Sequence, residues 1–403
     1  MLNRSLISLA LLFAAAPLAA QTPITLDQAM AHPDWIGTPV ESAWWSGDSQ
    51  QVFFRQKLND SPVRGVYAYD RRNGSTVRVE GNGWSAMDEA AQDIDKSRQR
   101  LLFIRQGDVF LRNLANNGLT QITKSPEAET GAQFSADGNR VFFRRGNDWY
   151  AWQNSGLIEP VLLLKADTDP NKITAPSAAT AHELRLIATL ARQKAERDAL
   201  KADAEARKAA DASTAIAATY LGKTVDISSS SLSPDGRYAL VITTEKGANE
   251  GQTGKMPKYV TESGFEEFEE TRTRVGRNMP LPQKLWLVDV RTQSVRALDF
   301  SVLPGIAVDP LSDLRKAQKL EPLSGNRGVR MEYGTRWSAD GSQVAVMVRS
   351  IDNKDRWLAG VDFAKADETC NLFYFWLNFF SWSFSRSPRH PCTGTLGTPS
   401  QAW

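Results

Sequence analysis

The chain has 403 residues, of which 41% are hydrophobic and 23% charged, with a formal net charge of +2. That much apolar material can bury one large core or two medium ones, which excludes a disordered chain. The charge is too small for this length, and Lys and Arg are too evenly mixed with Asp and Glu, for a nucleic-acid partner.

Residues 1–20 follow the pattern of an export signal. Arg4 is a short positive region, Leu6 to Ala16 an apolar run, and Pro17, Leu18, Ala19 and Ala20 precede Gln21. Cleavage is expected after Ala20, which would place the mature chain in the periplasm or outside the cell. The apolar run is about eleven residues, well short of the ~20 that a bilayer span needs, and no membrane span is expected in the mature chain. Residues 21–368 contain no cysteine, so this fold is expected to stand on packing without disulfides.

From residue 45 onward one short pattern recurs, and it decides the architecture. Trp45-Ser46-Gly47-Asp48 precedes Val52-Phe53-Phe54, and Phe134-Ser135-Ala136-Asp137-Gly138 precedes Val141-Phe142-Phe143. Leu232-Ser233-Pro234-Asp235-Gly236 precedes Tyr238-Ala239-Leu240-Val241, and Trp337-Ser338-Ala339-Asp340-Gly341 precedes Val344-Ala345-Val346-Met347. A degenerate copy, Ile94-Asp95-Lys96-Ser97, precedes Leu101-Leu102-Phe103-Ile104.

Asp-Gly offers the positive-φ position of a tight reversal, and the preceding Ser or Asp can bond back onto the turn. Each copy therefore predicts a hairpin. A third strand follows, as in Val66 to Asp70 or Lys284 to Asp289, and then a fourth, as in Thr76 to Val79 or Ser294 to Leu298. Four short strands repeated about every 40–50 residues is the period of propeller blades. The expected fold class is all-β, an incomplete β-propeller of about five four-stranded blades, spanning residues 21–368.

Two insertions interrupt the repeat. Residues 179–212 lack Gly and Pro and are rich in Ala, Glu, Lys, Arg and Leu, with Leu184, Ile187, Leu190 and Ala191 at helical spacing. They predict one long α-helix of roughly 50 Å at 1.5 Å per residue, either projecting or lying along the propeller rim, with Asp203 paired to Arg207 on a solvated face. Residues 246–282 contain too few apolar positions to separate a strand pair from a short helix.

After Glu368 the composition changes. Residues 369–403 contain no Lys, Asp or Glu, hold nine aromatic residues, and carry both cysteines, Cys370 and Cys392. The pattern stops after the third strand of the fifth blade, Asp355 to Asp362, whose closing strand is expected to be missing. These residues read as an aberrant tail from a shifted reading frame or misjoined end, with a natural divergent tail as the alternative.

Few residues in the sequence point to chemistry. A serine hydrolase needs a nucleophile elbow, usually Gly-x-Ser-x-Gly, and the nearest approach, Gly83-Trp84-Ser85-Ala86-Met87, lacks the second glycine. Of the three histidines, His32 lies beside Pro33, His182 starts the predicted helix and His390 is in the tail. No His or Cys pair has metal-ligand spacing, and no Walker or dinucleotide glycine motif occurs, so no catalytic residue, metal or cofactor is expected. Glu266, Glu267, Glu269 and Glu270 place four carboxylates in five residues. Held close together they could bind a cation such as a peptide ammonium, or form a solvated acidic face balanced by Arg272, Arg274 and Arg277.

The repeats, the export signal and the opening Thr25-Leu26-Asp27-Gln28-Ala29-Met30 to Asp34-Trp35-Ile36-Gly37 together resemble the N-terminal region of bacterial prolyl oligopeptidase family serine peptidases, in the dipeptidyl peptidase IV-like branch. The resemblance covers roughly residues 24–366. It implies a propeller that caps an α/β-hydrolase domain and admits short peptides. That domain carries the family's Ser, Asp and His, so this chain alone is expected to be inactive. The resemblance also implies a substrate-amine role for Glu266 and Glu267, the nearest match to the family's inserted glutamate pair. A second resemblance, to TolB-like periplasmic propellers, implies a scaffold for a protein partner.

Overall fold

The computed structural model describes residues 24–31, 33–59, 61–170, 177–211, 216–247, 253–272, 281–363 and 372–377. The export signal, His32, His390, both cysteines, Arg274 and Arg277 lie outside them. The chain forms two compact units, Met1–Ala90 and Ala91–Trp403. The architecture is all-β, made of propeller blades.

The first unit opens with helix α1 (Leu26–Met30), capped by Thr25, which accepts the Gln28 amide while Gln28 bonds back to the Thr25 amide. Its blade is an antiparallel sheet of β1 (Val40–Trp45), β2 (Gln51–Lys57), β3 (Arg64–Asp70) and β4 (Thr76–Arg78). Trp44, Phe53, Val66, Val79 and Met87 form its core. The Trp44 indole is held by a 2.8 Å bond to the Asp88 carbonyl.

The second unit holds the other four blades. One is β5 (Ala91–Ile94), β6 (Arg100–Arg105), β7 (Asp108–Asn113) and β8 (Leu119–Gln121). The next is β9 (Glu129–Phe134), β10 (Arg140–Arg145), β11 (Asp148–Gln153) and β12 (Ile158–Lys165), with β13 (Ala218–Tyr220) added alongside. Then come β14 (Val225–Leu232) and β15 (Tyr238–Glu245), the inserted pair β16 (Gly254–Lys258) and β17 (Glu267–Thr271), and β18 (Gln283–Asp289) with β19 (Ser294–Ala297). The last blade is β20 (Val329–Trp337), β21 (Gln343–Ser350), β22 (Arg356–Asp362) and β23 (Leu372–Leu377).

Continuous apolar runs in the middle strands explain why the blades stack. Leu240, Val241 and Val288 are wholly buried, because both faces of such a strand meet a neighbouring sheet. One core joins the second and third blades through Leu102, Val109, Phe134 and Phe143, another the third and fourth through Phe142, Leu164 and Val241. A third joins the fourth and fifth through Leu240, Leu285, Val346 and Trp357.

Three expectations are corrected. The long helix is two, α3 (Ala178–Leu186) and α4 (Ala188–Ala210); the Ile187 carbonyl accepts from Leu190 and Ala191 and so restarts the helix. β-Branched Ile187 and Thr189 weaken helix continuity at that point. No described side chain of α4 is buried, and Arg207 pairs with Asp203 at 2.9 Å as its spacing requires. The third blade has a fifth strand, because the helical insertion is long enough to bring the chain back parallel: Leu164 of β12 lies opposite Thr219 of β13. Finally, the fifth blade is closed. The backbone of Leu372–Leu377 pairs along β22, with Leu358 opposite Phe375. An aromatic-rich run has high strand propensity and satisfies an otherwise unpaired edge.

Candidate functional site

The recurring turns share one hydrogen-bond circuit. The serine hydroxyl donates to the aspartate two residues on: Ser46 to Asp48 at 2.6 Å, Ser135 to Asp137 at 2.6 Å, Ser233 to Asp235 at 2.5 Å and Ser338 to Asp340 at 2.6 Å. Each serine oxygen also accepts the amide five residues on, from Gln51, Arg140, Tyr238 and Gln343. In the degenerate copy the roles are exchanged. Asp95 stands in the serine's place, takes a 2.7 Å bond from Ser97, and accepts the Arg100 amide at 2.9 Å. The third residue after the serine, or after Asp95, has positive φ in every copy, including the non-glycine Ser49 at 57° and Arg98 at 54°. Their αL backbone is held by the surrounding circuit.

These bonds favour the ionised carboxylates. Asp137 is held down at about 2, chiefly by the Ser135 hydroxyl, and Asp340 at about 2, chiefly by the Ser338 hydroxyl. Burial pulls Asp95 upward, but the bonds from Ser97 and Arg100 outweigh it and leave it at about 2. A folded-state value below the ordinary 3.8 means stabilisation that is complete above that value and lost as pH falls towards 2. Melting temperature measured against pH is expected to be flat above pH about 5 and to fall between about 4 and 2. The double variant S97A/S135A should fall less steeply, and an unchanged slope would contradict the circuit.

The turns of the second unit also brace one another. Lys96 donates to the Ala136 carbonyl at 2.6 Å, Arg100 to the Gly138 carbonyl at 2.8 Å, and the Ala136 amide to the Pro234 carbonyl at 2.7 Å. Gly236 has no room for a side chain, since a Cβ there would lie 2.9 Å from the Phe142 ring.

Beside these turns the first strands of the four blades enclose a groove of about 690 Å³. Each of these strands is bulged against its second strand. Bulges re-aim side chains and are common beside binding sites. Trp149 and Trp337 are fixed in its wall by indole bonds to the Ser230 and Ser231 hydroxyls, at 2.9 and 2.7 Å. Asp93, also in the wall, accepts the Phe134 amide at 2.7 Å; burial raises its pKa, and the charge of Asp95 adds to that.

The insertion in the fourth blade is a strand pair, with Lys258 opposite Glu267 and Met256 opposite Glu269. The periodicity could not decide this because alternation covers only five residues on each side. Glu266 and Glu267 are both exposed at the turn end of this hairpin. Glu267 accepts from the Ser263 hydroxyl at 2.6 Å, and Glu269 is neutralised by Lys258 at 2.8 Å. Glu266 has no hydrogen bond or ion pair among the described residues. Tyr259, Val260, Phe265 and Phe268 are exposed around them.

The hydrolase-like Ser85 sits on a single helical turn, α2 (Gly83–Ala86), exposed and with its hydroxyl bonded to the Asn82 carbonyl at 2.8 Å. His182 is exposed on α3. Among the described residues no three His, Cys, Asp or Glu side chains cluster to hold a metal, and no helix is long and apolar enough to cross a membrane.

No family model and no curated protein matches the chain. Solved structures do resemble it. TolB from Acinetobacter baumannii is 12% identical, with 81% of this chain and 52% of that one covered and a TM-score of 0.30. Dipeptidyl peptidase 4 from Porphyromonas gingivalis is 11% identical, with 84% and 40% covered and a TM-score of 0.37. Oligogalacturonate lyase from Vibrio parahaemolyticus is 10% identical, with 84% and 73% covered and a TM-score of 0.31. The chain thus spans about half of the first of these structures and two fifths of the second.

Two surfaces therefore have chemistry to offer. The hairpin presents carboxylates among exposed aromatic rings, suited to a cation with an apolar neighbour. The groove presents fixed indoles and polar groups in a pocket of small-ligand size. Sequence reasoning missed the groove, whose wall residues come from four separate blades.

Proposed function

We propose that the chain is the substrate-gating propeller of an exported serine peptidase of the prolyl oligopeptidase family. It would hold short peptides and leave bond cleavage to an α/β-hydrolase domain outside this sequence. The observation that supports this most is the hairpin inserted in the fourth blade, which exposes Glu266 and Glu267 at its turn end and leaves Glu266 unpaired among the described residues. Two adjacent carboxylates bind an ammonium through charge-assisted hydrogen bonds, and the surrounding rings suit an apolar side chain beside it. Export is part of the proposal and rests on residues 1–20.

Calorimetric titration with glycyl-proline tests the amine role. Glu266→Gln and Glu267→Gln are each expected to raise Kd by about tenfold, the cost of roughly 1.5 kcal/mol for one lost charge-assisted bond. Both side chains are exposed, so the fold should be unaffected. An unchanged Kd in both variants would remove the amine anchor.

A second reading, a TolB-like scaffold for a protein partner, is favoured by the exposed Tyr259, Val260, Phe265 and Phe268. Two-stranded hairpins are only marginally stable alone, so such a tip gains from being covered. The two readings separate at the gene. A hydrolase with Gly-x-Ser-x-Gly encoded in another frame beyond codon 368 favours the peptidase, and a stop in every frame favours the scaffold.

A further inference from the structure

The groove in the second unit is built from residues whose bonding capacity is almost fully used. Lys96 is committed to the Ala136 carbonyl, Arg100 to Asp95 and the Gly138 carbonyl, and Gln133 to the Leu232 carbonyl. Both indole N–H groups are held by serines. Arg336 is the one lining cation outside this pattern: it lines the groove from β20, yet its side chain has no hydrogen bond, ion pair or ring contact among the described residues. Its side chain is exposed, whereas the neighbouring Trp337, also in the groove wall, is stacked on Phe363 at 5.6 Å. The guanidinium is a rigid fork of donors matched to a carboxylate.

The rest of the groove is shaped for a ligand of modest size. Gly131 has φ of 63°, and a Cβ there would lie 3.3 Å from the Trp149 ring, so the bulge of β9 keeps that wall open. A volume of about 690 Å³ suits a small ligand. Fixed indole and phenyl edges from Trp149, Trp337 and Phe134 supply apolar contact around the polar end.

We propose that this groove is a second binding site, which takes the free C-terminal carboxylate of a short peptide on the guanidinium of Arg336. The choice of a peptide rests on the function proposed above; the carboxylate follows from the unpaired Arg336. The site is independent of the hairpin glutamates. The groove adjoins the turn between β14 and β15, whereas the hairpin is inserted at the other end of β15, seven residues away along the strand. At about 3.3 Å per residue these ends are roughly 23 Å apart, too far for a dipeptide or tripeptide to bridge.

The test titrates the full chain and its R336Q variant with tri-alanine and with tri-alanine amide, by calorimetry. The wild-type chain should bind the acid with Kd at least about tenfold below the amide, and R336Q should bind the two alike. Equal affinity for acid and amide in the wild-type chain, a preference retained in R336Q, or no binding of either peptide would each overturn the site. The E266Q and E267Q variants keep the proposals apart. If they bind tri-alanine as tightly as wild type and keep the acid preference, the groove stands without the amine anchor. If they lose affinity while R336Q does not, the amine anchor stands and the groove falls.

Discussion

Replacing Glu129 by Ala is expected to lower the stability of the second unit by about 3 kcal/mol, or roughly 5 °C in Tm for a unit of this size. Glu129 opens β9 with its side chain at 0% exposure. One carboxylate oxygen takes two bonds from Arg145, at 2.7 and 3.0 Å, and one from Ser125 at 2.9 Å, and the other takes the Thr123 hydroxyl at 2.8 Å. These partners come from the loop after β8 and from β10, so one buried carboxylate ties two blades together. Its removal leaves the Arg145 guanidinium and the Thr123 hydroxyl without their main acceptor, while Ser125 keeps the Glu127 carbonyl at 2.8 Å; breaking a buried pair in this way costs about 3–5 kcal/mol. Arg145 is 26% exposed and regains some hydration, which sets the expectation at the lower end. Thermal denaturation would check this, with E129Q, which keeps one acceptor oxygen, falling between. A change of under about 1 °C in E129A would contradict the reading.

Trp357→Ala should cost still more, about 4 kcal/mol. Trp357 is the largest wholly buried side chain among the described residues, at 0% exposure, in the core shared by the fourth and fifth blades. Its indole N–H also holds the Pro304 carbonyl at 3.0 Å, and so pins the loop carrying Leu303 and Ile306 against the blades. Arg327 reinforces that loop by donating to the carbonyls of Gly305 and Ile306. The substitution opens a cavity the size of an indole and orphans a carbonyl, two separate costs. Trp357→Phe refills most of the cavity and loses only the bond, so about 1–2 kcal/mol is expected. Denaturant unfolding should rank the three as wild type, W357F, W357A; equal midpoints for W357F and W357A would contradict the division.

Much of this fold is legible in the sequence because the turn circuit is local. Ser135, Asp137 and Arg140 lie within six residues, so their bonds follow from spacing. Even the exchanged copy is legible, since Asp95 accepts what Ser135 accepts. Features that depend on partners distant in sequence were not. The parallel strand at Ala218–Tyr220 exists because Leu163 to Lys165 offer an edge, and Leu372–Leu377 pairs because β22 does. A run of sequence does not reveal which edge will be vacant. Glu266 and Glu267 stood out by density of charge, though the hairpin that exposes them was ambiguous in pattern. Arg336 gave no signal, because an arginine beside a buried tryptophan is unremarkable until the bonding of the surrounding groove is known.

The most direct measurement of the central claim is incubation of the purified full chain with glycyl-proline p-nitroanilide, following binding by calorimetry and p-nitroaniline by absorbance in the same sample. A gating propeller predicts saturable binding and no colour above the buffer blank. Release of p-nitroaniline that a serine-directed reagent abolishes would contradict it, as would the absence of any binding.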